Sequence, residues 1–125
     1  NISKGKSITS VKPSNVNLIE QLNLDGYETY GVKCGGDIEL NQYREQWTDG
    51  ANAFCLEPGV AIGYSRNYHT LTELEKNEYK IIKAKDFSAK DVQGKTFITL
   101  ESSELCRGRG GPRCLTLPIS RGSNG

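Results

Sequence analysis

The chain has 125 residues, of which 35% are hydrophobic and 25% charged, and its formal net charge is +1. This length suits one domain, and the composition is typical of a globular protein rather than a disordered one. The balanced charge gives no reason to expect a nucleic acid or an anionic membrane as a partner. No apolar run approaches the roughly 20 residues that span a bilayer, and the polar, Met-free start at Asn1–Lys6 lacks a secretory signal. We therefore expect a piece of a longer cytoplasmic polypeptide.

The cysteines give the first information on chemistry. There are four of them, Cys34, Cys55, Cys106 and Cys114, without any C-x-x-C pair, and the single His69 has no cysteine near it in the sequence. A zinc site is therefore not expected. Four cysteines could form disulfides in a secreted chain, but nothing else indicates secretion, so reduced thiols in the cytoplasm are the prediction. We expect Cys55 to belong to the core.

The first part of the chain predicts a β-α-β unit. A short strand is expected over Lys6–Val11, and a helix follows from an N-cap at Ser14 through Leu22, ending at Asp25-Gly26. The Tyr, Thr and Val content of Tyr27–Val32 predicts a second strand. The polar segment Cys34–Gly50 is predicted to be a long loop.

The remainder predicts β-β-α-β followed by a further strand. Pro58-Gly59 between the two apolar runs Ala53–Leu56 and Val60–Tyr64 favours a hairpin. Thr70 and Glu73 resemble a capping box at the start of a helix. Further strands are predicted at Tyr79–Ala84, Lys95–Leu100 and Leu115–Ile119, and Lys85–Gly94 could be an insertion. The fold class is therefore α/β.

A glycine-rich loop precedes the last cysteine. Four of the eight residues from Arg107 to Cys114 are glycine or proline, so this segment cannot form regular structure. Arg107, Arg109 and Arg113 lie close to Cys114 in sequence. A free cysteine is only about 3% thiolate at pH 7, and nearby cations raise that fraction, so Cys114 could be an activated nucleophile. It could instead be a small buried apolar residue. The R-G-R-G-G run could also indicate RNA binding, although one copy in a neutral protein is weak support.

Four ordered motifs carry a family resemblance. The loop E-L-C-R-G-R-G-G-P-R-C, at Glu104–Cys114, resembles the nucleophile loop of bacterial arginine deiminases. The segment R-E-Q-W-T-D-G-A-N, at Arg44–Asn52, resembles the family's R-E-Q-W-x-D-G-x-N. The segments E-P-G-V at Glu57–Val60 and Y-S-R-N at Tyr64–Asn67 resemble its P-G-V and Y-x-R-N. The resemblance is dense from Gly35 to Ile119, and it identifies residues 1–125 as the C-terminal part of an arginine deiminase catalytic domain.

The resemblance implies a fold and a reaction. The fold is the pentein α/β propeller of five ββαβ units, of which this chain would hold about one full unit plus parts of its neighbours. The reaction is hydrolysis of L-arginine to citrulline and ammonia, without metal or cofactor, through a cysteine thiouronium intermediate. Cys114 matches the nucleophile, Arg109 matches an arginine that positions the substrate, and Gly108 matches a backbone carbonyl that contacts it.

The chain also departs from the family pattern. The histidine acid/base and the carboxylates that hold the guanidinium come from upstream units in this family, and His69 matches no catalytic position, so a capping or surface role is expected for it. Glu45 is a remote candidate for a substrate carboxylate. Trp47 is expected to anchor the long loop against the sheet or to contact another subunit. The isolated fragment should therefore be inactive, and its expected partners are L-arginine, the rest of the parent enzyme and further copies of itself.

Alternative functions remain open at this point. An amidinotransferase or a dimethylarginine hydrolase would also use a late cysteine, although their loops do not normally contain G-R-G-G-P-R-C. A non-catalytic fragment that only binds a partner or assembles is the alternative from another class. An upstream region with H-x-D and carboxylate motifs would favour the enzyme over such a fragment.

Overall fold

The computed structural model describes residues 15–88, 90, 94–102, 104–108, 110–120 and 122. The chain folds into two compact units, Asn1–Gly31 and Val32–Gly125. The helices and strands in the described residues are α1 (Leu18–Leu24), α2 (Glu39–Trp47), β1 (Phe54–Glu57), β2 (Val60–Tyr64), α3 (Tyr68–Lys76), β3 (Lys80–Lys83) and β4 (Thr96–Leu100), with 3₁₀ helices at Ala84–Asp86 and Leu105–Gly108. The predicted α/β class is confirmed.

The first unit contains helix α1 and an irregular segment. A reciprocal capping box between Asn17 and Glu20 starts the helix, and Gly26, with a φ of +91°, follows its end. The predicted strand at Tyr27–Val32 is wrong. Instead, the Asn23 side chain accepts the Thr29 N–H at 2.8 Å and donates to the Thr29 carbonyl at 3.1 Å, which gives both backbone groups a partner without a sheet. The predicted strand at Lys6–Val11 and the cap at Ser14 lie outside the described residues.

The second unit is built on one mixed sheet with the strand order β1-β2-β4-β3. The predicted hairpin is confirmed, since β1 and β2 pair antiparallel and Gly59 takes a φ of +83° in the turn. Strand β4 pairs parallel with both β2 and β3, so Ile98 lies between Ile62 and Ile82. Because β4 has a strand on each side, most of its residues are buried, and its side chains form the centre of the core.

The parallel pairing of β3 with β4 explains the length of the segment that connects them. Adjacent parallel strands need a crossover of about a dozen residues, because the chain must return to the same end of the sheet. Residues 84–95 link β3 to β4 in the sequence, and the described part of this link begins with the 3₁₀ helix at Ala84–Asp86. Its length therefore follows from the topology and does not require an inserted function.

The predicted loop over Cys34–Gly50 is wrong, because it contains α2. Gly35 and Gly36 take φ angles of +79° and +70° just before the helix. A helical signal was present in the sequence: Leu40, Tyr43 and Trp47 have the i, i+3, i+7 spacing of one helix face. These three side chains are 65%, 66% and 66% exposed, so the expectation that Trp47 anchors the segment against the sheet is also wrong.

Helix α3 begins earlier than the sequence predicted. Its N-cap is Asn67, and the Asn67 side chain makes no capping hydrogen bond to the helix. Thr70 therefore lies within the first turn, and the predicted capping box with Glu73 is wrong. The Glu73 carboxylate instead lies 2.6 Å from Nζ of Lys76 on the surface of the same helix.

Two expectations near the chain's apolar segments also fail. Cys55, predicted for the core, is exposed on β1, and its thiol donates to the Glu57 carbonyl at 3.2 Å. The predicted strand at Leu115–Ile119 is irregular, and Leu117 is 85% exposed. Edge strand β1 and the Leu115–Ile119 segment thus leave apolar side chains uncovered within this chain.

Candidate active site

The glycine-rich loop starts where β4 ends, at the carboxyl edge of the parallel strands. Strand β2 ends at the same edge, since Tyr64 lies in register with Leu100. The Tyr64 hydroxyl donates to the Gly110 carbonyl at 2.9 Å, and the side chain is only 2% exposed. The end of one strand therefore holds the middle of the loop that follows its parallel neighbour.

A second contact fixes the start of the loop. Nη1 of Arg66 lies 2.7 Å from Sγ of Cys106, which is 4% exposed within the 3₁₀ helix at Leu105–Gly108. Arg107, one of the arginines expected near the nucleophile, forms an exposed ion pair with Glu104 at 3.3 Å. Arg107 therefore has an acidic partner that the sequence argument did not consider.

Cys114 is exposed at the end of the loop. Its N–H donates to the Gly111 carbonyl at 3.0 Å, which closes a turn, and Nδ2 of Asn52 lies 2.9 Å from its sulfur. The alternative in which Cys114 is a small buried apolar residue is therefore wrong. The Asn52 contact joins residues 62 positions apart in the sequence.

Gly111 is the point of closest packing between the loop and Asn52. A Cβ added to Gly111 would lie 2.5 Å from both Cβ and Cγ of Asn52, which is shorter than real contacts allow. Only glycine therefore lets the loop backbone approach this side chain.

The turn that carries Asn52 follows helix α2. Asp49 takes a φ of +61°, and the Asn52 N–H donates to the Asp49 carbonyl at 3.1 Å, as expected for residues that set a turn. The Asn52 side chain also lies 3.4 Å from Oδ1 of Asp49. Arg113 borders a shallow depression together with Asp49 and Asn52.

Burial shifts the pKa of two groups in this unit, the Tyr64 phenol that contacts the loop and the Cys34 thiol beside Thr70. Burial raises the pKa of the Tyr64 phenol, and negative charge on Asp49 and Cys114 would raise it further. Burial also raises the pKa of the Cys34 thiol, and this outweighs the opposing effect of its hydrogen bond with Thr70. Both groups therefore remain protonated at neutral pH.

Comparison with known proteins identifies the family of this loop. The family model described as arginine deiminase matches residues 2–121. The chain belongs to the arginine deiminase family. It is 41% identical over 105 residues to the arginine deiminase of Mycoplasma capricolum, which covers 83% of this chain and 22% of that protein. It is 42% identical over 90 residues to the Clostridium perfringens arginine deiminase, covering 72% and 18%. The chain thus spans about a fifth of the length of these curated relatives.

The other substrate-binding candidates of the deiminase motif are only partly described. Gly108 is the exposed last residue of the 3₁₀ helix, and a Cβ there would meet open space. Arg109 lies outside the described residues. The structure therefore brings together Cys114, Asn52 and the backbone of Gly110-Gly111, and Asn52 was not among the site residues that the sequence indicated. Its place in the R-E-Q-W-T-D-G-A-N motif was the available signal.

Glu45, the remote candidate for a substrate carboxylate in this family, has a structural role. Its carboxylate accepts the N–H of His69 at 2.8 Å, the N–H of Thr70 at 2.7 Å and the Thr70 hydroxyl at 2.6 Å. These backbone groups open helix α3, and Glu45 is only 5% exposed. Glu45 is therefore the N-terminal cap of α3, and His69 lies in the first turn, in keeping with the structural role expected for it.

The described residues lack two kinds of feature. Among them, no group of three His, Cys, Asp or Glu side chains is arranged to hold a metal ion. None of the helices they form has the length and hydropathy that a membrane crossing requires.

Proposed function

We propose that this chain is the C-terminal part of the catalytic domain of an arginine deiminase, and that Cys114 is the nucleophile. The observation that carries the proposal is the position of Cys114: it is exposed on the family's nucleophile loop, with a hydrogen-bond donor 2.9 Å from its sulfur. The substrate is L-arginine and the products are citrulline and ammonia. Arginine deiminases of similar sequence, at about 40% identity, support the reaction.

The reaction proceeds in two covalent steps. The Cys114 thiolate attacks the guanidinium carbon and a C–S bond forms. One terminal nitrogen takes a proton from the histidine acid/base of the parent enzyme, its C–N bond breaks, and it leaves as ammonia to give a thiouronium intermediate. Water then adds to the same carbon and gives a proton to the histidine, the C–S bond breaks, and its electron pair returns to sulfur as citrulline forms. A cysteine suits this chemistry because the thiolate is both a strong nucleophile and a good leaving group.

The rest of the loop binds the substrate. The Gly108 carbonyl accepts a hydrogen bond from it, and Arg109 helps to position it. The histidine acid/base and the carboxylates that hold the guanidinium cation belong to the rest of the parent enzyme, since a cation with five donors needs anionic acceptors. The enzyme acts in the cytoplasm and carries no metal or cofactor.

The isolated 125-residue chain should therefore have no measurable deiminase activity. Positioning and proton transfer supply much of the rate enhancement, and both depend on the missing groups. Citrulline production by the chain is compared with production by its Cys114→Ser variant. Citrulline production clearly above that of the variant would contradict the proposal that essential catalytic groups belong to the rest of the parent enzyme.

The nucleophile is tested in the intact protein. Quenching during turnover with L-arginine, followed by peptide mass spectrometry, should find the adduct on the peptide that contains Cys114. Cys114→Ser should abolish turnover, whereas Cys55→Ser, which replaces another exposed thiol, should leave it unchanged. An adduct on another cysteine would refute the assignment. Turnover only with a methylated arginine, or only with an amine acceptor, would indicate a sister enzyme of the same superfamily.

The open edges of the sheet and the exposed apolar side chains near it favour association with other chains. Within a pentein propeller, this sheet would be one unit with parts of its neighbours, and the rest of the parent enzyme would adjoin it. Here β1 and β3 are edge strands, and α2 exposes the stripe Leu40, Tyr43 and Trp47. Open edges and exposed apolar surface recruit other chains. We expect a homo-oligomer, and a monomer by light scattering over a wide concentration range would refute this.

A further inference from the structure

The Asn52 side chain contacts Sγ of Cys114, the atom that reacts in the proposed mechanism. Nδ2 of Asn52 lies 2.9 Å from Sγ of Cys114 and 3.4 Å from Oδ1 of Asp49. A carboxylate and a thiolate are both acceptors, so the amide group presents its two N–H donors to them. The opposite amide orientation would place a carbonyl oxygen against two acceptors, which is unfavourable. The Asp49 carboxylate and the Cys114 sulfur therefore favour the amide orientation in which the NH₂ group of Asn52 faces the sulfur.

The backbone holds this arrangement from both sides. Gly111 packs against Asn52 so closely that a Cβ would lie 2.5 Å from its side chain, and the turn from Gly111 to Cys114 fixes the nucleophile relative to that contact. On the other side, Asn52 is held in its own turn by Asp49. The sulfur and the amide are therefore parts of one constrained geometry.

We infer that Asn52 is a further catalytic residue, the hydrogen-bond donor that stabilises the Cys114 thiolate. The inference rests on the proposed function for the identity of the group that the thiolate attacks. Hydrogen bonding to a charged form favours that form, so the amide stabilises the thiolate that attacks the guanidinium carbon. The sulfur loses its charge when the C–S bond forms. It regains that charge when water has added and the C–S bond breaks, and the amide then stabilises the leaving thiolate.

The test uses the intact protein and needs no substrate. The rate of alkylation of Cys114 by iodoacetamide is followed against pH by peptide mass spectrometry. In Asn52→Ala, the pH of half-maximal rate should rise by about one unit, and the rate at neutral pH should fall about ten-fold, as expected for loss of one charge-assisted hydrogen bond. Asn52→Asp keeps the shape and the turn-forming ability but places an anion beside the sulfur, so its shift should be at least as large.

A matched variant controls for a merely structural effect. Asn77 at the end of α3 also bonds to the backbone, donating to the Glu73 carbonyl at 2.8 Å, so Asn77→Ala should leave the pH profile unchanged. Superimposable profiles for the wild type and both Asn52 variants would overturn the inference. An equal shift in Asn77→Ala would also overturn it.

Turnover separates this inference from the proposed function. With L-arginine, Asn52→Ala should lower kcat more than it changes KM, because both the attack by the thiolate and its departure become slower. A shifted alkylation profile in a protein without deiminase activity would refute the proposed function and leave the role of Asn52 intact. Deiminase activity with an unshifted profile would refute the role of Asn52 alone.

Discussion

Replacing Glu45 by Gln tests the structural role of the most buried acid in the described chain. The carboxylate accepts three hydrogen bonds, two from the backbone N–H groups of His69 and Thr70 and one from the Thr70 hydroxyl, at 2.6 to 2.8 Å. Glutamine has nearly the same shape but only one acceptor oxygen. Its NH₂ group must therefore face one of the backbone donors.

The magnitude follows from these contacts. A buried donor left without a partner costs about 1–3 kcal/mol. The two remaining bonds become neutral and lose roughly half of their strength, and the favourable charge at the helix N-terminus, worth about 0.3–1 kcal/mol, is lost. We expect the free energy of unfolding to fall by about 2–4 kcal/mol, a large part of the roughly 5–15 kcal/mol that stabilises a typical domain.

Urea unfolding followed by far-ultraviolet circular dichroism measures this loss. The midpoint should move down by about 1 M or more with an unchanged slope, because slopes of about 1–3 kcal/mol/M are typical of small proteins. Glu75→Gln provides the control, since it removes the same charge from an exposed position on α3. A midpoint for Glu45→Gln equal to that of the control would refute the assignment of Glu45 as the helix cap.

Two further predictions concern the thiol beside α3 and the packing of the sheet. Because burial raises the pKa of Cys34 above its ordinary value of 9.0, the contribution of Cys34 to stability should be constant below about pH 9 and fall as pH rises further, since the unfolded chain loses the proton first. Urea unfolding of the wild type and Cys34→Ala between pH 7 and 10.5 checks this, and equal alkaline slopes would contradict it. At Gly63, an added Cβ would lie 2.4 Å from the Phe97 ring, so Gly63→Ala should cost about 1–3 kcal/mol and be relieved by Phe97→Leu. Gly122→Ala, where a Cβ meets open space, should be neutral in the same assay.

Local signals predicted the sheet well. Pro58-Gly59 predicts the hairpin because each residue presets a backbone angle of the turn, and the alternation in Lys95–Leu100 locates β4 without knowledge of its partners. The sequence could not give the strand order, in which β4 lies between β2 and β3. Pairing is decided by contacts between strands that are far apart in the chain.

The errors at the two helices have a different physical cause. The α2 segment was predicted as a loop because it is polar, although Leu40, Tyr43 and Trp47 share one face that stays exposed in this chain. The start of α3 was misplaced because its cap is Glu45, 25 residues away from Thr70, rather than a neighbouring side chain. A cap supplied by another helix leaves no local pattern.

The candidate site also depends on a contact between residues that are far apart in the sequence, and Glu45 again contributes to it. The motif at the loop pointed to Cys114, but the donor beside its sulfur comes from Asn52, and only the folded chain joins them. Glu45 links this pair to the rest of the fold: its side chain caps α3, and its backbone carbonyl accepts the Gly50 N–H at 2.7 Å, at the start of the turn that carries Asn52. Gly50 itself is packed so closely that a Cβ would lie 2.7 Å from Sγ of Cys34. The position of Asn52 therefore depends on the α2–α3 contact, and a loss of the Glu45 cap should loosen the geometry at Cys114 although Glu45 is not part of the site.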